Sequence, residues 1–354
     1  MRGTMNAPSQ NIAIIGAGIT GLCSAYALLQ DGHKVALYDP EGFPADNASF
    51  MAGGMLAPYA EIEHMPAEWI QAGLDSIAFW AEFAETHNID FHQNGSFLIA
   101  HPEDRHILER FERHLPQNKK TRASAEELEP ALAENFPRGL HLHEEAHINP
   151  RPALHTLCDF LKAQGATFIQ EKAEPEKLAQ IYDHVIDCRG MGAAWEDKEL
   201  RGVKGEILIV RNPELTLTRP VRLMHPRYPL YIVPRPGHLF MIGATVIESS
   251  DNTGVSVRSG LELLSALYSL HASFGDAEII EIKAGIRPAY PDNLPRIDID
   301  KKRRIIRCNG LFRHGFLLSP TIGRCVADHI AGGQNNFLTL LKKDGHESHN
   351  QRAA

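Results

Sequence analysis

Residues 11–39, NIAIIGAGITGLCSAYALLQDGHKVALYD, limit what this chain can fold into more than any other stretch. The apolar run Ile12, Ala13, Ile14 and Ile15 stops at a glycine and reads as a buried strand. Gly16, Gly18 and Gly21 then form G-x-G-x-x-G, and Leu22, Ala25, Leu28 and Leu29 keep one helical face apolar until Asp31-Gly32 ends it. A second strand over 34–38 leads into Asp39. Each residue type has a physical task. Gly16 permits the tight strand-to-helix turn, Gly18 lets backbone approach a pyrophosphate, and Gly21 lets the helix lie close on the sheet. The helix start offers N–H groups and a positive dipole end to phosphate. Asp39, 21 residues after Gly18, stands where a carboxylate accepts from ribose hydroxyls. Strand, turn, helix, strand and acid in that order predict a dinucleotide site, with FAD and NAD both open.

A chain of 354 residues exceeds what one core usually needs and suggests about two domains. Its 43% hydrophobic and 23% charged residues fit an ordinary globular protein, and a formal charge of -8 argues against a nucleic-acid partner. Five cysteines without a C-x-x-C pair fit reduced thiols and a cytoplasmic location. No apolar stretch reaches the roughly 18 residues of a membrane span, and the start lacks a signal-peptide pattern. Residues 1–10 read as loose, and 345–354 have the composition of a disordered tail.

After Asp39, the loop SFMAGGMLAPYAE over 49–61 concentrates small residues, as backbone lying on a flat ligand or a flexible connector both require. An amphipathic helix follows over 66–87. The strand at 96–100, the charged helix at 103–114 and the Glu-rich connector at 121–132 have another texture and suggest a second domain. His141, His143 and His147 have a spacing that invites a metal, but without a matching Cys or carboxylate cluster they read better as surface or packed histidines. A helix at 153–164, a strand at 167–170 and a strand at 182–187 ending in Cys188-Arg189-Gly190 resume the opening alternation. Strands at 206–210, 230–233 and 239–245, with a turn at 234–237, a helix at 260–271 and a strand at 278–284, predict a mixed sheet. The last unit, 304–330, is again strand, glycine, loop and helix, with Ser319-Pro320 expected as its N-cap and first helical residue.

Taken in order, the opening fingerprint, AGGMLAP, VKGEILIV, YIVPRPGHLFMIGAT, GIRP and RHGFLLSPTIG resemble the amino-acid oxidase family of FAD enzymes, the D-amino-acid oxidase superfamily. The likeness runs from Ile12 to about Ile330 and is strongest to the glycine-oxidising branch tied to thiamine biosynthesis. It implies an α/β plus α+β fold: a discontinuous Rossmann-like FAD-binding domain over 1–87, 141–203 and 283–344, with an inserted mixed or antiparallel-sheet substrate domain over 88–140 and 204–282. It further implies that Gly16, Gly18, Gly21 and Asp39 hold the ADP half of FAD, although the family more often has Glu where Asp39 stands. Gly53, Gly54 and Met55 would lie along the isoalloxazine, and Ala173 and Gly190 on the adenine side. Gly315, Phe316, Leu317 and Leu318 would turn their N–H groups toward the flavin pyrimidine carbonyl. FAD is expected to be noncovalent, since 285–300 has no cysteine.

For the substrate, the resemblance implies that Arg287 grips an amino-acid carboxylate with its guanidinium fork, that Tyr231 contacts the same group, and that Arg313 is a further cation of less defined role. A structural ion pair for Arg287 and a core aromatic for Tyr231 are the plainer uses of these residues. Tyr290 and Asp298 replace positions where the family has small residues, so a different substrate entrance is expected, and Arg189 likewise departs from a small residue. The implied reaction is oxidation of a small amino acid, glycine foremost, by hydride transfer from Cα to flavin N5. The imine hydrolyses to glyoxylate and ammonia, and O2 becomes H2O2. Such a route needs alignment rather than a strong side-chain base, so no side chain is assigned as catalytic. A D-amino-acid or sarcosine oxidase, or a dehydrogenase with another acceptor, are the alternatives; a homo-oligomer is compatible with the family.

Overall fold

The structure is a computed structural model that describes residues 8–226 and 229–341; the expected tail and residues 1–7 of the loose start lie outside these. The chain begins with β1 (Asn11–Ile15), α1 (Ile19–Gln30), β2 (Lys34–Tyr38), β3 (Met55–Leu56), α2 (Ile70–His87), β4 (Phe91–His92), β5 (Ser96–Ile99) and α3 (Arg105–His114). Next come β6 (Lys120–Ser124), α4 (Ala125–Leu128), β7 (Arg138–Leu142), β8 (Ala146–Ile148), α5 (Pro150–Ala163), β9 (Thr167–Ile169), α6 (Pro175–Leu178) and β10 (His184–Asp187). The remainder is β11 (Arg201–Arg211), β12 (Val221–Leu223), β13 (Leu230–Arg235), β14 (Leu239–Gly243), α7 (Val257–Leu270), β15 (Glu278–Ala289), β16 (Arg296–Asp300), β17 (Ile305–Asn309), α8 (Gly315–Ile330) and α9 (Asn336–Leu341).

These elements pack as two units. The first takes the chain up to Phe50, Leu154–Arg201 and the chain from Arg287 on; the second takes Met51–Ala153 and Gly202–Ile286. Residues 51–87 and 141–153, which the sequence suggests for the nucleotide domain, therefore pack in the second unit. The reason is local pairing: β3 and β4 both lie antiparallel to β8, and Ala57, Tyr59 and Ala60 bury against Phe111, Leu140 and Leu142.

In the first unit the sheet order is β16-β17-β10-β1-β2-β9, with β9, β2, β1, β10 and β17 parallel and β16 antiparallel at one edge. Ile12, Ala13, Ile14 and Ile15 are all buried, as a parallel strand covered on both faces requires. Each isoleucine so enclosed contributes roughly 1.5–3 kcal/mol. Strand order reverses on the two sides of β1, which puts the Gly16 turn at a topological switch point, where open α/β sheets bind ligands.

The second unit has an eight-stranded sheet, β15-β11-β14-β13-β12-β5-β7-β6, and the small sheet β3-β8-β4. Alternation along β13 and β14 sorts residues to opposite faces. Ile232, Phe240 and Ile242 join the main core beneath Leu263 and Leu267 of α7, while Val233 and Met241 join Tyr231, Met51 and Met55 on the other face. No described helix is long and apolar enough to cross a membrane.

Between β7 and β8 the unit buries a carboxyl group. Glu145 accepts from the Ala60 N–H at 2.7 Å and from the Ser96 hydroxyl, and Arg222 donates to the Ala60 carbonyl nearby. Burial pushes the Glu145 pKa up to about 7, against a smaller opposing pull from these donors and the Arg222 charge. A carboxyl whose folded pKa is raised contributes stability fully below its unfolded pKa and loses it as pH rises through the folded value. Denaturant titrations are therefore expected to show up to roughly 3 kcal/mol of stability lost from this group between about pH 5 and pH 8. Glu145→Gln, which keeps an acceptor for Ala60, should flatten that difference; a variant with the wild-type pH dependence would remove Glu145 as its source.

Candidate functional site

In the first unit, Gly16 has φ +100°, and a Cβ there would strike the Cys188 carbonyl at the end of β10. Its N–H donates to the Tyr38 carbonyl and Cys188 N–H donates to that of Ile15, both at 2.8 Å, so the turn is held by the strands on either side. Gly18 is the N-cap of α1, and a Cβ on Gly21 would strike the Gly16 carbonyl. Only bare backbone lets α1 leave the sheet this closely. Asp39 is buried at the end of β2; one carboxylate oxygen accepts from Ala17 N–H at 2.8 Å and the other from Glu41 N–H at 2.9 Å. Each oxygen retains lone-pair capacity for a hydroxyl donor. Ser49 adds a group that the motif does not signal: its Oγ accepts from Ile19 N–H at 3.0 Å. The glycine cradle, helix start and carboxylate fit a dinucleotide.

The closing helix differs from expectation. Ser319-Pro320 does not start it: α8 begins at Gly315 with His314 as N-cap, and Pro320 lies inside. The first helical bond is Leu318 N–H to the His314 carbonyl at 2.8 Å, so the N–H groups of Gly315, Phe316 and Leu317 precede the helical ladder. Pro320 is the sixth helical residue, beyond the first turn, so the bond an N–H there would make to the Phe316 carbonyl is missing. Against α1, a Cβ on Gly323 would stand 2.6 Å from the Cys23 carbonyl, and Thr20 and Ser319 hydroxyls meet at 3.1 Å. A Cβ on Gly315 would lie 3.4 Å from Ile19, so two helix N-termini stand side by side and concentrate positive potential.

Arg287 lies in β15 and Arg313 in the turn before α8. Ala289 bridges Leu311 antiparallel, and Phe312 N–H donates to the Pro288 carbonyl at 2.9 Å. The pairing stops there, because Phe312 has φ +48° and Phe312-Arg313 form a turn; Arg287 and Arg313, both half-buried, each lie two residues from the bridged pair.

The second unit brings together Gly53, Gly54, Met55 and Tyr231. A Cβ on Gly53 would lie 2.6 Å from Met241 and 3.1 Å from the Tyr231 ring, and one on Gly243 would lie 2.9 Å from the same ring. Tyr231 is therefore held between two glycines. Gly54, φ +71°, would strike the Ile148 carbonyl with any Cβ, and Met55 pairs with His147. Two arginines to which the sequence reading assigns no role secure this loop. Arg235 donates to the carbonyls of Gly53 and Ile148, and burial of the guanidinium pulls its pKa down to about 10. Arg151 makes a bidentate pair with Glu281 at 2.6 and 2.9 Å, which holds the Glu281 carboxyl below its usual range. His147 stacks on His92, and burial, with the Arg235 charge, lowers its pKa to about 3, so it stays neutral.

Other sequence candidates fall elsewhere. Ala173 packs with Ala13, Ile15 and Val185, and the Gly190 carbonyl accepts from the Asn309 side chain at 3.0 Å. Arg189 pairs with buried Asp187 at 2.7 Å and Glu196 at 2.9 Å, which accounts for a large residue at that strand end. Tyr290 is buried, donates to Asp197 at 2.8 Å and packs against Gly310. Asp298 is exposed and pairs with Arg307. His141 meets the Asn94 carbonyl and His143 the Thr121 hydroxyl.

Residues 11–329 match the family described as FAD dependent oxidoreductase. A Rhizobium etli protein named for thiamine biosynthesis, ThiO, is 40% identical over 321 residues, covering 90% of this chain and 96% of that protein. Glycine oxidase of Geobacillus kaustophilus is 26% identical over 363 residues, covering 92% and 94%. A crystal structure of glycine oxidase from the same species aligns with a TM-score of 0.80 at 24% identity, covering 93% and 96% of the two chains.

Loss of the Arg235 guanidinium would leave two buried carbonyls without their charged donor. Arg235→Met is expected to lower the unfolding free energy by about 3 kcal/mol, with Arg235→Lys recovering part of it. Denaturant midpoints check this, and an unchanged midpoint for Arg235→Met would show that the loop is held otherwise.

Proposed function

We propose a function from one premise: the chain belongs to the FAD-dependent oxidoreductase family and is an FAD-dependent enzyme. Our reading is oxidative deamination of a small amino acid, glycine first, in the cytoplasm and in the service of thiamine biosynthesis. The Cα–N single bond of the substrate becomes an imine, water adds, and ammonia leaves the 2-oxo acid, which is glyoxylate from glycine. FAD, when bound, would supply the acceptor for the hydride leaving Cα and the route by which O2 is reduced to H2O2.

The observation that carries this reading is that Arg287 and Arg313 lie on segments joined by the Ala289–Leu311 bridge, each two residues from it. Two guanidinium groups on adjoining segments favour an anion, and their planar forks match a carboxylate. In this reading Arg287 anchors the substrate carboxylate, Arg313 adds positive potential, and Tyr231 is a hydroxyl donor to substrate. Gly16, Gly18, Gly21 and Asp39 would hold the ADP half of FAD, the Gly315–Leu318 turn would offer N–H groups to its polar edge, and Gly53, Gly54 and Met55 would lie along its ring, all without a covalent bond. The substrate amine must be unprotonated to lose hydride, so kcat/KM should rise with pH toward the amine pKa.

The test is peroxide formation by the FAD-loaded protein over glycine, sarcosine and D-amino acids, alongside reduction of a dye without oxygen. Glycine-dependent peroxide is the expected result. Dye reduction with no peroxide would replace the oxidase by a dehydrogenase, and a preference for sarcosine or a D-amino acid would move the substrate. Arg287→Ala is expected to raise KM roughly 100-fold with FAD retained, since a buried charge partner is lost. An unchanged KM would refute the anchor.

A further inference from the structure

The ladder between β11 and β14 changes register where β14 ends. Leu208 pairs with Ile242, and the next bridge along β11 joins Lys204 to Ile247. Residues 205–207 of β11 thus face residues 243–246, three against four, and the extra residue makes 243–246 a bulge. A bulge leaves ladder groups unpaired, and here a side chain takes over. The Thr245 hydroxyl accepts from Glu206 N–H at 2.9 Å and donates to the Glu206 carboxylate at 3.0 Å, while Thr245 N–H donates to the Glu206 carbonyl at 3.3 Å.

The groups that hold the bulge from β11 are charged and buried. Glu206 is fully enclosed; its other oxygen accepts from Ser256 N–H at 3.3 Å and stands 3.9 Å from Lys204 Nζ. Lys204 donates to the Thr253 hydroxyl at 3.2 Å and to the Gly254 carbonyl at 2.9 Å. A buried ion pair adds little net stability over apolar residues of the same size, and its best attested use is to fix register.

The bulge begins beside Tyr231. Gly243 pairs with Tyr231 across β13 and β14, and a Cβ on Gly243 would lie 2.9 Å from the ring and 3.1 Å from the hydroxyl oxygen. Ala244 packs in the same cluster, together with Met241. A slip of the bulge by one residue would turn this wall over, since successive residues of a strand face opposite sides.

We propose that Thr245, Glu206 and Lys204 are positioning residues: they pin the 243–246 bulge and, through Gly243, fix where the Tyr231 hydroxyl meets substrate. This rests on the reading of Tyr231 as a hydroxyl donor to the substrate carboxylate. A misplaced hydroxyl weakens carboxylate binding in ground and transition states alike, so KM rises while kcat changes little.

Acetate, a carboxylate with no amine to oxidise, tests this when titrated into the FAD-loaded protein and followed by flavin absorption. Thr245→Val keeps the shape of the side chain and removes both hydroxyl bonds, so it should bind acetate about tenfold more weakly. Thr245→Ser keeps both bonds and should bind it as the wild type does. In turnover, Thr245→Val should raise KM by a like factor. Tyr231→Phe should also be weak, and the double variant no weaker than Tyr231→Phe alone, because both changes act through one hydroxyl. Wild-type acetate affinity in Thr245→Val, a Thr245→Ser as weak as Thr245→Val, or losses that add in the double variant each overturn the proposal while the reading of Tyr231 stands. Normal acetate binding by Tyr231→Phe, or none by the wild type, overturns that reading and the proposal with it.

Discussion

Backbone touches backbone where β1 turns into α1. A single methyl group on Gly21 would overlap the Gly16 carbonyl, and one on Gly16 would overlap that of Cys188. This contact sets how steeply α1 leaves the sheet and how near its N-terminus comes to the carboxyl ends of β1 and β10. The same device recurs where α8 meets α1, with Gly323 against the Cys23 backbone. Two close approaches, made possible by missing side chains, thus bring two helix N-termini together at the switch point of a parallel sheet. A dinucleotide needs that combination of positive potential and open backbone.

The second unit solves a related problem with charge. Its loop carries two successive glycines, Gly53 and Gly54, and glycine carries the greatest entropy cost on ordering. Arg235 meets that cost by donating to carbonyls on both sides of the loop, and the Arg151–Glu281 pair secures its flank. An isolated buried guanidinium would be expensive, but here backbone carbonyls take the place of water. In the first unit Arg189 works in the more usual way, paired with two carboxylates.

Much of this was legible in the chain because its signals are local. The strand, glycine turn, helix and Asp39 follow one another within 29 residues, and each constrains only its neighbours. The order of motifs was enough to identify the family and its mixed α/β class, which the family match and the 40% identical relative bear out. The start of α8 was misread because Ser-Pro is a strong local helix-start pattern, whereas the helical ladder already begins one turn earlier, with Leu318 N–H on the His314 carbonyl. Tyr290, whose size suggested an altered entrance, has a buried place that Gly310 and Asp197 make for it.

The sequence alone therefore determined the dinucleotide cradle, the FAD-dependent family and the identity of the candidate anchors, since glycine, aspartate and arginine have chemistry and backbone freedom that do not depend on distant residues. Tertiary structure decided which of those residues meet. A bridge between Ala289 and Leu311 joins the segments that carry Arg287 and Arg313, Tyr231 lies between glycines 53 and 243, and Arg235 reaches a loop 182 residues away. Such contacts depend on strand register and on which face of a sheet a side chain takes, and a pattern read along the chain carries neither.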